Sequence, residues 1–196
     1  QFYNEILEKY KVSKKLTVKD AISDLPAIYP LKTPTKRIAY DNSNNINGHK
    51  SRYHSQRDQE IFSLLALDIA QNTNKFDSAD KLIQLYQEKT GKKTNVHKYH
   101  VLRWDKPSNT IPAHLKKDGL RHIHPDPLQK RSITVREAAR LQTFDDDFEF
   151  NESQVANYEM IGNAVPPLFA EKLGLGIFEL FKVIQIEEKK EKAIGD

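Results

Sequence analysis

The sequence predicts an α+β chain, with short strands and helices mixed through its middle and helices closing its C-terminal end. Three observations carry that reading. Apolar residues recur at helical spacing in Ile61–Ile69, Phe76–Thr90, Val135–Leu141 and Leu168–Phe181. Two short β-prone runs, Tyr99–Trp104 and Leu120–His124, flank a loop containing Pro112 and Gly119. The chain has 196 residues, 38% hydrophobic and 30% charged, which suits one large or two small polar domains.

Composition narrows the chemistry. Cysteine is absent, so no disulfide, thiolate metal site or cysteine nucleophile lies within these residues. No apolar run is long enough to span a membrane, and there is no signal-peptide pattern. Met160 is the only methionine, so a chain beginning at Gln1 reads as a processed or cut product. Net charge is +4, but residues 31–130 carry +8 and residues 131–196 carry −5. All seven histidines lie between His49 and His124. The middle is therefore the part suited to a polyanion, although an ordinary basic surface has the same charge.

Taken in order, residues 1–10 read as a short amphipathic helix using Phe2, Ile6, Leu7 and Tyr10. Thr17 and Asp20 open a second helix, carried through Leu25 and ended by Pro26. Pro30 to Gly48 is loop-like, expected to be mobile, and ends in the turn signal Asn47-Gly48. The stretch from His49 to Asp58 mixes cations, Tyr53 and amide or hydroxyl donors, which suits phosphate contacts through Arg52 and Arg57. His49 and His54 lack a carboxylate frame and make a weak metal site. The next two helices read as scaffold, with Ile61, Leu64, Leu65 and Ile69 inward in one, and Leu82, Ile83, Leu85 and Tyr86 in the other. Gly91 stops the second of these helices.

A basic cluster, Lys89, Lys92, Lys93 and Lys98, precedes the Tyr99–Trp104 run, and residues 105–109 form a turn. Lys116, Lys117 and Arg121 are placed to meet phosphates, and Arg103 or Arg121 to read guanine edges. His122 and His124 alternate and so share a strand face, most simply as a satisfied surface pair.

Thr134 and Glu137 then form a capping box in front of Val135, Ala138, Ala139 and Leu141. Arg136 and Arg140 share one face of that helix, and as bare residues they read as solvated. The Asp145–Asp147 run reads as a solvated turn, since three consecutive carboxylates do not converge on a metal. Asn151 or Ser153 caps a further helix that ends near Gly162 in a left-handed terminus. Pro166 and Pro167 suit the first turn of a last helix, whose apolar residues imply burial against a larger body. The tail 184–196 reads as a flexible, frayed end.

Two signatures in this closing stretch resemble a known family. Arg131-x-Ile-Thr134-x-Arg136-Glu137-x-Ala139-Arg140, followed by Gly162-Asn163-Ala164-Val165-Pro166-Pro167, resembles the last two conserved blocks of the DNA cytosine-5 methyltransferases. Residues 17–26, the basic 49–62 stretch and Arg103–Ile111 are similar to segments of the same family.

The resemblance implies four regions. Residues 1–30 connect from a catalytic domain, 31–128 form the target-recognition region that binds double-stranded DNA, 129–183 return to the catalytic domain, and 184–196 are the tail. The C-terminal helices would then pack on a Rossmann-like catalytic domain absent from this chain. By resemblance, Thr110 and Ile111 lie beside the loop entering the major groove, with Lys106 and His114 as further DNA contacts. Arg131, Thr134, Arg136, Glu137, Arg140 and Gly162 become structural, with the charged members as buried ion-pair candidates. Asn163, Ala164 and Val165 become contacts for S-adenosylmethionine, in a pocket completed only by the catalytic half. Asp145 departs from the Pro that relatives often have in this turn.

The family's reaction adds a cysteine thiolate to C6 of a flipped cytosine, so that C5 accepts the methyl group. The Gly-rich loop, Pro-Cys and Glu-Asn-Val segments that this needs are not in the sequence. The chain therefore resembles the C-terminal, DNA-recognising portion of a cytoplasmic bacterial enzyme of a restriction-modification system. Its partners would be DNA and a catalytic half, in the same chain or another subunit. Two other readings remain: a stand-alone DNA-binding module without catalysis, and an interaction protein docking through Leu168–Phe181.

Overall fold

The computed structural model describes residues 5–12 and 14–194, with side chains through Ile186. Phe2 and the last two residues of the tail lie outside them. The chain packs as two compact units, one formed by residues 16–164 and one by residues 1–15 with 165–196.

In the larger unit, α1 (Val18–Ile22) starts at Thr17, whose hydroxyl and Asp20 form a reciprocal capping box. The remaining first-turn amides are satisfied from far along the chain, Val18 N donating to Lys106 O at 2.9 Å and Lys19 N to Trp104 O at 3.1 Å. α2 (Gln56–Ala70) is capped by Ser55, and α3 (Ala79–Thr90) by Ser78, with left-handed Gly91 closing it at φ 68°. α2 buries Ile61, Phe62, Leu65 and Ala66, so its inward face includes Phe62 while Leu64 is exposed. In α3 only Leu85 is fully buried; Leu82 and Tyr86 pack at the edge.

α4 (Val135–Leu141) and α5 (Gln154–Asn163) start at Thr134 and Ser153. α1, α4, α5 and a 3₁₀ turn at Ala113–Lys116 surround one core that includes Val18, Ile22, Leu102, Leu115, Ile133 and Tyr158. α2 and α3 enclose a second core with Tyr99, Val101 and Ile123.

The expected strands reduce to isolated bridges: Val101 pairs with Ile123, Ile123 with Ser132, and Pro30 with Tyr40. Backbone bonds still tie the runs together, with Leu102 N donating to Ile123 O at 2.9 Å and Ile123 N to His100 O at 3.0 Å. The described residues are therefore mostly helical.

The 30–48 loop, expected to be mobile, is pinned along its length. Tyr40 is buried and donates to Lys130 O, Asn44 donates to His49 O, and Asn47 accepts from Phe150 N. Gly48 sits at φ 74°, where its carbonyl accepts from Arg136 N at 3.0 Å.

In the second unit, α6 (Pro167–Ile194) opens on Pro167, and its backbone is helical through most of the expected tail. Lys9 and Tyr10, in a 3₁₀ turn at Leu7–Tyr10, both bond Glu179 on α6. Several apolar side chains of α6 stand out to solvent: Phe169, Phe178 and Phe181 are about three-fifths exposed.

Candidate nucleic-acid interface and the buried block behind it

The block after Ser132 is built around one ion pair. The Arg131 guanidinium meets the Glu137 carboxylate with two prongs, each at 2.7 Å, and both side chains are 1% exposed. Gln129 Oε1 accepts from Arg131 Nε and Nη2, and Thr134 N donates to Glu137 Oε2 at 2.7 Å. Burial alone would raise the Glu137 carboxyl, but the Arg131 charge and hydrogen bonds overcome it and hold the group well below the usual carboxylate range. A buried pair keeps its charges only when its remaining bonding capacity is met, as it is here.

Around the pair stand histidines that the sequence placed at the surface or weighed as weak metal ligands. All four are buried, so the surface pairing of His122 and His124 is corrected. His49 donates from Nε2 to Pro26 O at 2.8 Å, so its Nδ1 accepts from the Thr134 hydroxyl at 3.0 Å. That hydroxyl in turn caps Glu137 N. His54 Nε2 accepts from Ser132 N, and His122 Nε2 donates to Thr110 O at 3.1 Å. His124 Nδ1 accepts from Asp126 N, leaving the proton on Nε2, 3.5 Å from Glu137. Burial, then the Arg131 charge, pushes His124 down to about 3, so this contact is between a neutral ring and a carboxylate. Among the described residues no group of three or more His, Asp or Glu is arranged to hold a metal.

Arg136 is buried, but its bonds go mainly to backbone carbonyls: Asn47 at 2.9 Å, Phe148 at 2.8 Å and Asp145 at 3.2 Å. Its nearest carboxylate, Asp146, is 3.9 Å away. Arg140 is half-buried and pairs with Asp24 and Asp146, each at 2.6 Å. The acidic turn thus supplies one partner to α4 through Asp146.

Gly162 is not a left-handed terminus. It lies inside α5, where a Cβ would come 2.2 Å from Ala113 N and 2.3 Å from Pro112 C. Only a glycine lets α5 approach the 3₁₀ turn this closely. That turn carries the expected DNA-contacting loop, so α5 and the block before it hold the loop in place.

The ten candidate DNA contacts divide by their surroundings. Ile111 is buried in the core with Leu115, so it supports the loop and presents nothing to a groove; that expectation is corrected. Arg52 is half-buried, donates to Leu115 O at 2.9 Å and stacks 4.2 Å over the Tyr158 ring. Arg57, Arg103 and Lys116 are matched to Asp58, Asp105 and Glu159 at 3.0, 3.7 and 2.5 Å. Lys106, Thr110, His114, Lys117 and Arg121 are exposed. Among the described residues no carboxylate lies within 4.0 Å of the Lys106, Lys117 or Arg121 cations.

Sequence reasoning missed Tyr158, whose hydroxyl donates to Ile133 O at 2.7 Å while its ring carries Arg52. Tyr158 has no local signal, because both partners lie far from it in sequence. It also missed Gln129, the second partner of Arg131, which stands two residues away but belongs to no motif that marks it as a partner.

Of the cofactor candidates, Asn163 is exposed at the end of α5, Ala164 is half-buried beside it with its amide on Ile161 O at 3.2 Å, and Val165 is exposed in the other unit.

Comparison with known proteins gives the class. The family model for C-5 cytosine-specific DNA methylases matches residues 2–179. The chain belongs to that family. It is 32% identical over 184 residues to the type II methyltransferase M.Bpa9945I of Bacillus paralicheniformis, covering 83% of this chain and 41% of that protein. It is 46% identical over 87 residues to the type II methyltransferase M.AgeI of Thalassovita gelatinovora, covering 44% of this chain and 19% of that one. In fold it is similar to the crystal structure of a candidate DNA modification methyltransferase encoded within an Escherichia coli prophage. The TM-score is 0.54 at 24% identity, over 88% of this chain and 49% of that one. The chain thus spans less than half the length of these relatives.

Proposed function

We propose that these residues supply the DNA-recognising, C-terminal part of a DNA (cytosine-5-)-methyltransferase of a restriction-modification system. Support comes from one pairing of facts: the family match runs over residues 2–179, yet the sequence contains no cysteine to serve as the reaction's nucleophile. The thiolate that adds to C6, and the acid that assists at N3, are then supplied by further residues of the same protein or by a partner subunit. The chain's own residues do different work. The α5–Gly162 contact, with the bonds of His122 to Thr110 O and of Arg52 to Leu115 O, fixes the 110–121 loop, so that Thr110 and its exposed neighbours meet the duplex without first being ordered.

S-adenosylmethionine supplies the methyl group when bound. Asn163 offers an exposed amide that can donate and accept, and Ala164 and Val165 carry no group that repels an adenosyl or thioether surface. Asn163 and Ala164 fit part of one wall of a cofactor pocket, not a whole one. The exposed Phe169, Phe178 and Phe181 on α6 fit the reading that a further body covers this helix.

The test is DNA binding by the 196-residue chain as salt is varied, since phosphate neutralisation makes affinity fall steeply with salt. Thr110→Ala should change preference among duplex sequences. Affinity that ignores salt would remove the DNA-recognising role and favour the interaction protein.

A further inference from the structure

A cleft of about 310 Å³ opens between residues 96–98 and the 112–122 loop. Its walls are pinned before any ligand arrives. His100 N donates to Leu120 O at 2.9 Å, Ile123 N to His100 O at 3.0 Å, and Arg121 Nη1 to His97 O at 3.4 Å. The apolar part of the lining includes Val96, Pro112, Leu115 and Leu120. Lys98, Lys117 and Arg121 are exposed on the residues that line it.

Charge pairing separates this cleft from Arg57, Arg103 and Lys116 among the basic candidates. Arg57, Arg103 and Lys116 each have a carboxylate of their own, whereas among the described residues none lies within 4.0 Å of Lys98, Lys117 or Arg121. The acid of the lining, Asp118, already accepts from Leu120 N at 3.1 Å and is outnumbered three to one. Of the histidines here, His122 is committed to Thr110 O through Nε2, and His97 bonds Tyr99 O through Nδ1. His114 is exposed.

We propose that this cleft is a backbone-phosphate site, in which Lys98, Lys117 and Arg121 hold one stretch of a DNA strand and set its register against the recognition loop. The proposal rests on the DNA-recognising reading above. Pro112, Leu115 and Leu120 offer no side-chain donor or acceptor to read a base edge, and lysines act on phosphates as point charges without a preferred plane. The site therefore contributes affinity and position, not sequence choice. Arg121, a candidate for guanine reading on sequence grounds, is assigned to the backbone.

The experiment compares salt dependence of binding to a cognate and a scrambled duplex. The proteins are the wild-type chain, the triple variant Lys98→Gln/Lys117→Gln/Arg121→Gln, and a matched variant Lys14→Gln/Lys15→Gln/Lys75→Gln, which removes equal charge from exposed positions outside the cleft. At about 0.9 per neutralised phosphate, the slope of log K against log salt should fall by about 2.7 in the cleft variant and by much less in the control. Both duplexes should lose the same factor of affinity. The charge-keeping variant Lys98→Arg/Lys117→Arg/Arg121→Lys should restore the slope.

Equal slopes for the cleft variant and wild type, with wild-type binding intact, overturn the cleft and leave the DNA reading standing. A changed sequence preference in the charge-keeping variant also overturns it, because Arg121 would then read a base. No salt-dependent binding by the wild-type chain overturns both.

Discussion

Arg131 and Glu137 face each other as a two-pronged ion pair with both side chains sealed from solvent, six residues apart across the start of α4. The fork closes the turn that presents Thr134 as an N-cap, and Glu137 serves both the fork and the cap. One carboxylate therefore ties helix start, turn and neighbouring loops together. Glu137→Gln or Arg131→Met should cost about 3–5 kcal/mol, because each leaves an uncompensated buried charge. Replacing both by apolar residues of similar volume should cost clearly less than the two single losses added. Urea denaturation of the four proteins reads this directly, and additive losses would mean that the two side chains are not coupled.

Stability should fall as the solution is acidified, in two windows. His54 and His124 are pushed down to about 3, and His122 to about 4, in each case first by burial. Unfolded histidines titrate near 6.5. Between pH 6.5 and 4 the unfolded chain binds protons that the folded chain refuses, so stability is lost as pH falls. Each ring accounts for at most about 2 kcal/mol at pH 5. Glu137 has the opposite charge but the same sign of effect. Its folded value is depressed, so its contribution is present above the unfolded value of 4.5 and is lost below it. Denaturation midpoints at pH 7, 5 and 4 should decline in order; a flat profile from 7 to 5 would contradict the neutral, buried assignment of the rings.

Two glycines should respond to alanine with opposite signs. Gly162→Ala drives a methyl into the Pro112–Ala113 backbone and should cost about 1–3 kcal/mol, with a lower melting temperature. Gly174 lies in α6 with nothing within 4 Å of its missing Cβ. Gly174→Ala should gain about 0.5–1 kcal/mol of helix stability, visible as a rise in helical ellipticity or in melting temperature. A stabilised Gly162→Ala would show that α5 and the 3₁₀ turn do not approach as described.

What was legible in the sequence was local. Thr134 and Glu137, three apart before an apolar run, specify a cap that needs no distant partner, and the same holds for Thr17 with Asp20 and for Gly91. What failed was decided by distant residues. Gly162 looks like a helix terminus because the 3₁₀ turn that crowds it lies some fifty residues earlier. His122 and His124 look solvent-facing because Thr110, which accepts from one, and Glu137 and Trp104, which stand against the other, are not their neighbours in sequence. Arg103 and Lys116 look free because spacing does not tell whether Asp105 and Glu159 will reach them. Where a strand would continue past Leu102, the carbonyls of Trp104 and Lys106 instead accept from the first amides of α1, and the expected strands are reduced to bridges.

These residues are proposed to recognise DNA for a cytosine C5 methylation whose nucleophile is supplied from outside them. The most direct measurement is transfer of label from S-adenosylmethionine to duplex DNA by the pure chain, then by the chain co-expressed with a polypeptide carrying the Gly-rich, Pro-Cys and Glu-Asn-Val segments. No transfer by the chain alone, and label at cytosine C5 with both, are expected. Transfer by the pure, cysteine-free chain would contradict the proposal.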